Sequence, residues 1–151
     1  MPLWNQLKAK SQDMSSQLKA KSGQLKNKNF SEATMAMCAL VAAADGSIDL
    51  AERRKVAALI MSNDVLSIFS PDDLRTRFDH YCDKLSADYD FGKIEALQAL
   101  GKLKKKDIEA RAVIQIGIII GGADGNFDDD EKKAVKDACH AVGINPAEFD
   151  L

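Results

Sequence analysis

The sequence predicts an all-α protein, a compact bundle of seven or eight helices with an internal repeat. Apolar residues recur at helical spacing along most of the chain, and only three prolines and nine glycines interrupt it. Alternating polar and β-branched residues, which would indicate strands, are scarce. With 151 residues, of which 46% are hydrophobic, the chain is long enough to bury a sizeable core without staples.

Start and stop signals place the helices along the chain. A first amphipathic stretch covers about residues 3–22, and residues 23–29 are typical of a linker. Ser31 is a good N-cap for the second helix, Ser70 precedes a proline at the first position of a later one, and Gly143 ends the last long helix. From Ser31 onward, helices are predicted at about residues 31–44, 49–62, 71–86, 90–104, 107–121 and 128–143, with a short final turn at 145–148.

The charge is divided unevenly along the chain. Residues 1–29 carry six lysines against one acid, a net charge of +5, so that residues 30–151 carry −7 of the total of −2. We therefore expect two parts, a basic amphipathic N-terminal arm (1–29) and an all-helical domain (30–151). The acidic domain argues against nucleic-acid binding, which requires clustered positive charge.

The N-terminal arm has three interpretations. It could lie on an anionic membrane, with Trp4 and the leucines inserted and the lysines near the headgroups. It could instead dock on an acidic partner or on the acidic domain of its own chain, or it could be a solvated tail. The candidate contact residues are Trp4, Lys8, Lys10, Lys19 and Lys21.

Two segments of the chain repeat each other. Residues 44–56 have the sequence ADGSIDLAERRKV, residues 123–135 have the sequence ADGNFDDDEKKAV, and six of the thirteen positions are identical. Each copy follows an apolar helix and opens a charged one. The chain is therefore predicted to contain two helix–acidic loop–helix units, stacked as similar halves.

The repeated pattern, Asp-Gly-x-apolar-Asp-x-x-Glu, matches the second half of a calcium-binding EF-hand loop, in which carboxylate oxygens bind a hard cation. The first half is absent, because Val41 and Ala43 in one copy, and Ile120 and Gly122 in the other, stand where the first acids would be. An ordinary EF-hand is therefore not expected. The candidate cation ligands are Asp45, Asp49 and Glu52 in the first loop, and Asp124, Asp128, Asp129, Asp130 and Glu131 in the second.

Helix capping explains part of this pattern without any ligand. The aspartate and glutamate of each copy, three residues apart, fit a capping box, and each loop glycine fits the end of the preceding helix. Capping does not explain Asp129 and Asp130, which leave five carboxylates close together unless a cation or a basic partner intervenes. Capping alone, and capping combined with cation or partner binding, both stay open.

No arrangement typical of an enzyme is present in the sequence. The two histidines, His80 and His140, lie outside zinc-binding spacings, no serine lies in a nucleophile elbow, and no phosphate-binding loop follows Gly122. Three widely separated cysteines argue against a disulfide framework and fit a reducing compartment. The longest nearly apolar run is too short to cross a membrane. We therefore expect a non-enzymatic, cytoplasmic protein.

Three features together resemble the tellurite-resistance protein TerB family: the two helix–ADG–acid–helix units, the lysine-rich amphipathic start, and the ending GNFDDDEKKAV…VGINPAEF. The resemblance covers the whole chain, and its most specific part is the second acidic loop, residues 124–131. The first loop matches less well, because Leu50 and Ala51 stand where the second loop has Asp129 and Asp130. Any ion bound at the first loop should therefore be bound more weakly.

The resemblance implies a compact bacterial protein from a gene cluster linked to resistance to tellurite, phage and some colicins, with no established catalytic activity. It also implies partners among other tellurite-resistance proteins, including an integral membrane one, and a peripheral position at the inner membrane. We expect an accessory protein whose acidic surface binds Ca²⁺ or another divalent cation and docks on membrane-associated partners. The alternative is a metal-independent interaction module that uses the same acidic surface.

Overall fold

The computed structural model describes residues 13–151 of the chain, and within them every regular element is a helix. Residues 13–20 are helical, and we call them α1. The other α-helices are α2 (Ser22–Leu25), α3 (Lys28–Ala42), α4 (Leu50–Ser62), α5 (Pro71–Ala87), α6 (Tyr89–Gly101), α7 (Asp107–Gly121) and α8 (Asp129–Val142). Two short 3-10 helices lie at Leu66–Ile68 and Pro146–Phe149. The predicted all-α class is confirmed.

The core is organised around α3, which packs against α5, α6 and α7 and also contacts α4 and α8. Its sequence, KNFSEATMAMCALVA, is apolar on nearly every face, and all but three of its residues are buried. A helix that is apolar all round is stable in water only when other helices surround it. The Ile-rich α7 is buried in the same way, so α3 and α7 form the centre and the more charged helices cover them.

Most of the predicted helix starts are confirmed, because the expected side chains accept hydrogen bonds from the first-turn amides. Asp49 caps α4 through the Glu52 amide, Ser70 caps α5 with Pro71 in the first turn, and Asp128 caps α8 through the Glu131 amide. Such caps satisfy amides that have no partner inside the helix. At the other end of α8, Gly143 adopts a left-handed conformation with φ of 76°, which glycine adopts without strain.

The predicted N-cap of the second helix, Ser31, is wrong by four residues. The N-cap of α3 is Asn27, whose Oδ1 accepts a hydrogen bond from the Phe30 amide at 2.9 Å, so the expected linker already contains the helix start. Asn27 is held in place because its side-chain amide donates to the buried carboxylate of Glu109 on α7. Ser31 is instead buried inside α3, where its hydroxyl donates to Asp73 Oδ2 at 3.1 Å.

The described part of the predicted arm packs on the helical domain. Leu18 and Leu25 are fully buried in the same core as α3 and α7. The Gln115 side chain of α7 donates to Gln17 at 3.1 Å, and the Lys19 ammonium pairs with Asp64 at 3.1 Å. The described residues of the arm therefore dock on the helical domain of their own chain, as one of the interpretations of the arm expected. In the part of the chain from 13 to 151, no helix has the length and hydropathy needed to span a membrane.

Candidate functional site

The two acidic loops have the same local conformation. Gly46 and Gly125 both have positive φ, 93° and 85°, a region that residues with a side chain rarely adopt. In each loop the preceding aspartate stabilises the turn. Asp45 Oδ1 accepts a hydrogen bond from the Ser47 amide at 3.1 Å, and Asp124 Oδ1 accepts one from the Asn126 amide at 3.0 Å. The repeated sequence thus produces the same turn twice.

After each turn, the second aspartate that the two copies share caps the next helix. Asp49 Oδ1 accepts a hydrogen bond from the Glu52 amide at 2.7 Å, and Asp128 Oδ1 accepts one from the Glu131 amide at 2.8 Å. In the second loop, Glu131 Oε1 also accepts from the Asp128 amide at 3.2 Å, which completes a capping box. The aspartate N-cap is therefore confirmed in both loops, where it uses one carboxylate oxygen, but the full capping box forms only in the second. The expectation that each loop glycine ends the preceding helix is wrong, because Gly46 and Gly125 lie three residues beyond the C-caps of α3 and α7.

The fold brings the two loops together, although they are far apart in sequence. Carboxylates from both loops line a single cleft of about 140 Å³, which we call the acidic cleft. Its carboxylates are Asp45, Glu52, Asp124, Asp128, Asp130 and Glu131. The two remaining candidate ligands, Asp49 and Asp129, are exposed at the starts of α4 and α8 and are not part of this lining. Six of the eight predicted ligands thus share one surface.

A lysine joins the two loops across the acidic cleft. The Lys55 ammonium, on α4, forms an ion pair with the Asp124 carboxylate of the second loop. The hydrogen bond to Asp124 raises the pKa of Lys55. Lys55 is not among the residues predicted from the sequence. Its one signal is that the repeat differs there, since the equivalent residue of the second copy is Ala134.

The surroundings in the acidic cleft shift the pKa values of two of its carboxylates in opposite directions. Burial, and then the negative charges of Asp128 and Asp124, raise the pKa of Glu131 to about 7. Burial also acts to raise the pKa of Asp124, but hydrogen bonds from Lys55 and from the Asn126 amide lower it below its ordinary value. The lysine therefore stabilises one carboxylate, while Glu131 remains in an environment that disfavours its charge.

The carboxylates of the acidic cleft do not surround one point. Among residues 13–151, no three His, Cys, Asp or Glu side chains form a group that could hold a metal ion. Several of the carboxylate oxygens accept hydrogen bonds from loop or helix amides. The predicted cation ligands thus share a cleft in which some of their oxygens are already engaged.

The remaining candidate residues lie elsewhere. Lys19 and Lys21 are exposed on the described part of the arm, whereas Trp4, Lys8 and Lys10 lie outside the described residues. The three cysteines are all buried and unpaired in the helical core. His80 lies on α5, where its Nε2 is 2.7 Å from Glu95 Oε1 on α6.

Comparisons with known proteins place this arrangement in one family. The family model described as tellurite resistance protein TerB matches residues 31–151, which include both acidic loops and all of the helices from α4 to α8. A curated relative, the tellurium resistance protein TerB of Alcaligenes sp., is 27% identical over 96 residues, covering 64% of this chain and 79% of that protein. No solved structure gives a significant match. Because the family model matches well over half of the chain, the chain belongs to the TerB family.

Proposed function

We propose that the chain is a non-enzymatic accessory protein of bacterial tellurite resistance, and that its acidic cleft binds a divalent cation such as Ca²⁺. Membership of the TerB family supports the resistance role. The observation that carries the proposed site is the convergence of six carboxylates from two loops on one cleft, where the lining includes a single positively charged side chain, Lys55.

The charge balance of the acidic cleft supports cation binding. Ca²⁺ and Mg²⁺ prefer oxygen ligands, and a divalent ion would neutralise carboxylates that repel one another. Burial is the main reason that the pKa of Glu131 is raised, and this repulsion adds to it. Binding requires the Lys55 ammonium to leave Asp124 and the carboxylates of both loops to turn toward a shared ion. The ligands would come from Asp124, Asp128, Asp130 and Glu131 in the second loop, and from Asp45 and Glu52 in the first.

Thermal unfolding of chelator-stripped protein, alone and with Ca²⁺, Mg²⁺ or Mn²⁺, tests the cation site. A ligand that binds only the folded state adds about 4 kcal/mol to the free energy of unfolding at a concentration a thousand times its Kd. The midpoint temperature of thermal unfolding should then rise by several degrees. The double variant Asp124→Asn/Asp128→Asn should lose this rise and keep the fold, because asparagine also caps helices.

A matched control removes two first-turn carboxylates that lie outside the acidic cleft. Asp72→Asn/Asp129→Asn changes the net charge by the same amount, at the starts of α5 and α8. The cation-dependent rise should persist in this variant. Equal midpoints with and without each cation in the unmodified protein would refute the cation site.

The second candidate is a metal-independent interaction module. It is favoured by the Lys55 ammonium in the acidic cleft, because a basic side chain of a partner could pair with the same carboxylates. The partners proposed are other tellurite-resistance proteins, including an integral membrane one, met at the cytoplasmic side of the inner membrane with help from the basic arm. Capture of such a partner from membranes that is equal with and without a chelator would favour this candidate over the cation site.

A further inference from the structure

Four large apolar side chains of the described residues are exposed in two patches that have opposite charges around them. Leu50 and Met61, on α4, are 60% and 46% exposed, and Phe91 and Ile94, on α6, are 73% and 53% exposed. Single exposed apolar residues are common on protein surfaces, but paired ones with a charged border are typical of contact sites. Neither patch belongs to the acidic cleft.

The first patch is concave. Leu50, Ala57, Met61 and Phe78 line a groove of about 440 Å³ between α4 and α5, which we call the α4–α5 groove. Leu50, Ala57 and Met61 are spaced by seven and four residues, so they lie on one face along the length of α4. The groove is therefore long enough, and apolar enough, to take a protruding helical ridge.

The border of the α4–α5 groove is positively charged. Arg53, Arg54 and Arg75 all line it, in a protein whose net charge is negative. Arg53 is neutralised by ion pairs with Asp79 and Asp83, and Arg75 lies 3.8 Å from Asp79, whereas Arg54 makes no ion pair with any other residue of 13–151. The groove thus combines apolar side chains with one guanidinium, that of Arg54, which has no ion-pair partner among residues 13–151.

The second patch lies on α6 and is bordered by acids. Phe91 and Ile94 lie three residues apart on the exposed side of α6, and we call them the α6 ridge. Asp90 and the capping residue Asp88 lie within three residues of Phe91. Lys93 offsets these acids only in part, because its ammonium pairs with Asp137 of α8 at 2.9 Å while it also interacts with the charge of Asp90.

We propose that the α6 ridge of one copy of this chain binds in the α4–α5 groove of a second copy. The two patches are complementary, since the exposed apolar side chains of one can enter the groove of the other, and since acids border one and arginines the other. One molecule cannot make this contact by itself, because α4 and α6 are both held against α5. Each copy therefore carries both halves of the contact, a ridge for one neighbour and a groove for another.

Two surface variants and their mixture test this contact by sedimentation across a range of protein concentrations. The ridge variant is Phe91→Ser/Ile94→Ser, and the groove variant is Leu50→Ser/Met61→Ser. The average molecular mass of the unmodified chain should increase with protein concentration, because the copies associate. Each variant alone should show no such increase. An equimolar mixture should form a one-to-one complex, because the groove of the first variant and the ridge of the second remain intact.

A charge exchange tests the same contact independently. Arg54→Glu should raise the Kd of self-association by roughly tenfold, and mixing it with Asp90→Lys should restore affinity. Ile108→Ser is the control, because Ile108 is 40% exposed on α7 and belongs to neither patch, so self-association should persist. Thermal melts confirm that every variant is folded. A monomer at all concentrations, or a mixture of ridge and groove variants that stays monomeric, would overturn the proposal.

Discussion

Glu131 is a carboxylate whose negative charge is disfavoured by its surroundings in the fold. Its pKa rises from the ordinary value of 4.5 to about 7, because of burial and of the nearby carboxylates of Asp128 and Asp124. The folded state therefore holds this proton more tightly than the unfolded state does. As pH rises from about 4.5 to about 7, the unfolded chain loses the proton first, and the contribution of Glu131 to the free energy of unfolding falls.

Replacing Glu131 with glutamine should flatten this pH dependence, since the amide cannot ionise. The measurement is urea unfolding at several pH values between 4.5 and 7.5, in metal-free buffer. Glu52→Gln is the matched control, because it removes a charge from the other loop of the acidic cleft and leaves Glu131 in place. A slope that is the same in Glu131→Gln and in the unmodified protein would assign the pH dependence to other groups.

At the scale of the elements, Gly92 sets how closely α6 approaches α5. A Cβ at this position would lie 2.6 Å from the Leu85 amide nitrogen, and a backbone atom of a packed helix cannot move aside easily. Gly92→Ala should therefore lower the free energy of unfolding by about 1–3 kcal/mol, as overpacking does in other cores. Denaturant unfolding measures the loss.

Gly101, at the end of the same helix, is the control for Gly92. A Cβ there would meet only the Ala141 carbonyl oxygen, at an ordinary 3.8 Å. Gly101→Ala should therefore leave stability unchanged or raise it by about 0.5 kcal/mol, through the lower entropy of the unfolded chain. Equal effects of the two substitutions would show that helix propensity, rather than the contact between α5 and α6, decides the result.

The elements that could be predicted from sequence are those with local signals. Asp49, Ser70 and Asp128 cap the next helix through bonds to residues only three positions away, so short patterns identify them. The start of α3 was misplaced because Ser31 has the right residue type but is buried by α5. A burial that depends on another helix leaves no local pattern.

The acidic cleft belongs to the scale of the whole molecule, and this explains why only its parts could be predicted. The two loops meet because α3 and α7, which precede them, pack side by side in the core. The repeat predicted that the halves are alike, but not that their loops are adjacent. The role of Lys55 could not be predicted either, because its partner Asp124 is 69 residues away in the chain and no local pattern joins them.

The packing of the whole molecule also determines how reactive its three cysteine thiols are, because all three are buried. Burial raises the pKa of Cys82 to about 12 and that of Cys139 to about 11, and it raises the pKa of Cys38 still further. Thiolates, not thiols, react with disulfide reagents and with oxidants. A folded molecule should therefore protect all three cysteines until it opens.

Timed labelling with a disulfide reagent, with and without urea, measures this protection. In native buffer the three cysteines should stay unlabelled over the time in which an added surface cysteine, Ser86→Cys on α5, reacts completely. In urea all of them should react, with a midpoint that matches loss of helix, because the core that covers them is shared by α3, α5 and α8. A native cysteine that reacts as fast as residue 86 would lie in a part of the fold that opens on its own. Direct reaction of that thiol with tellurite would then be possible in the folded protein. Full protection of all three cysteines would instead assign any role of the folded protein to its charged loops and its surface.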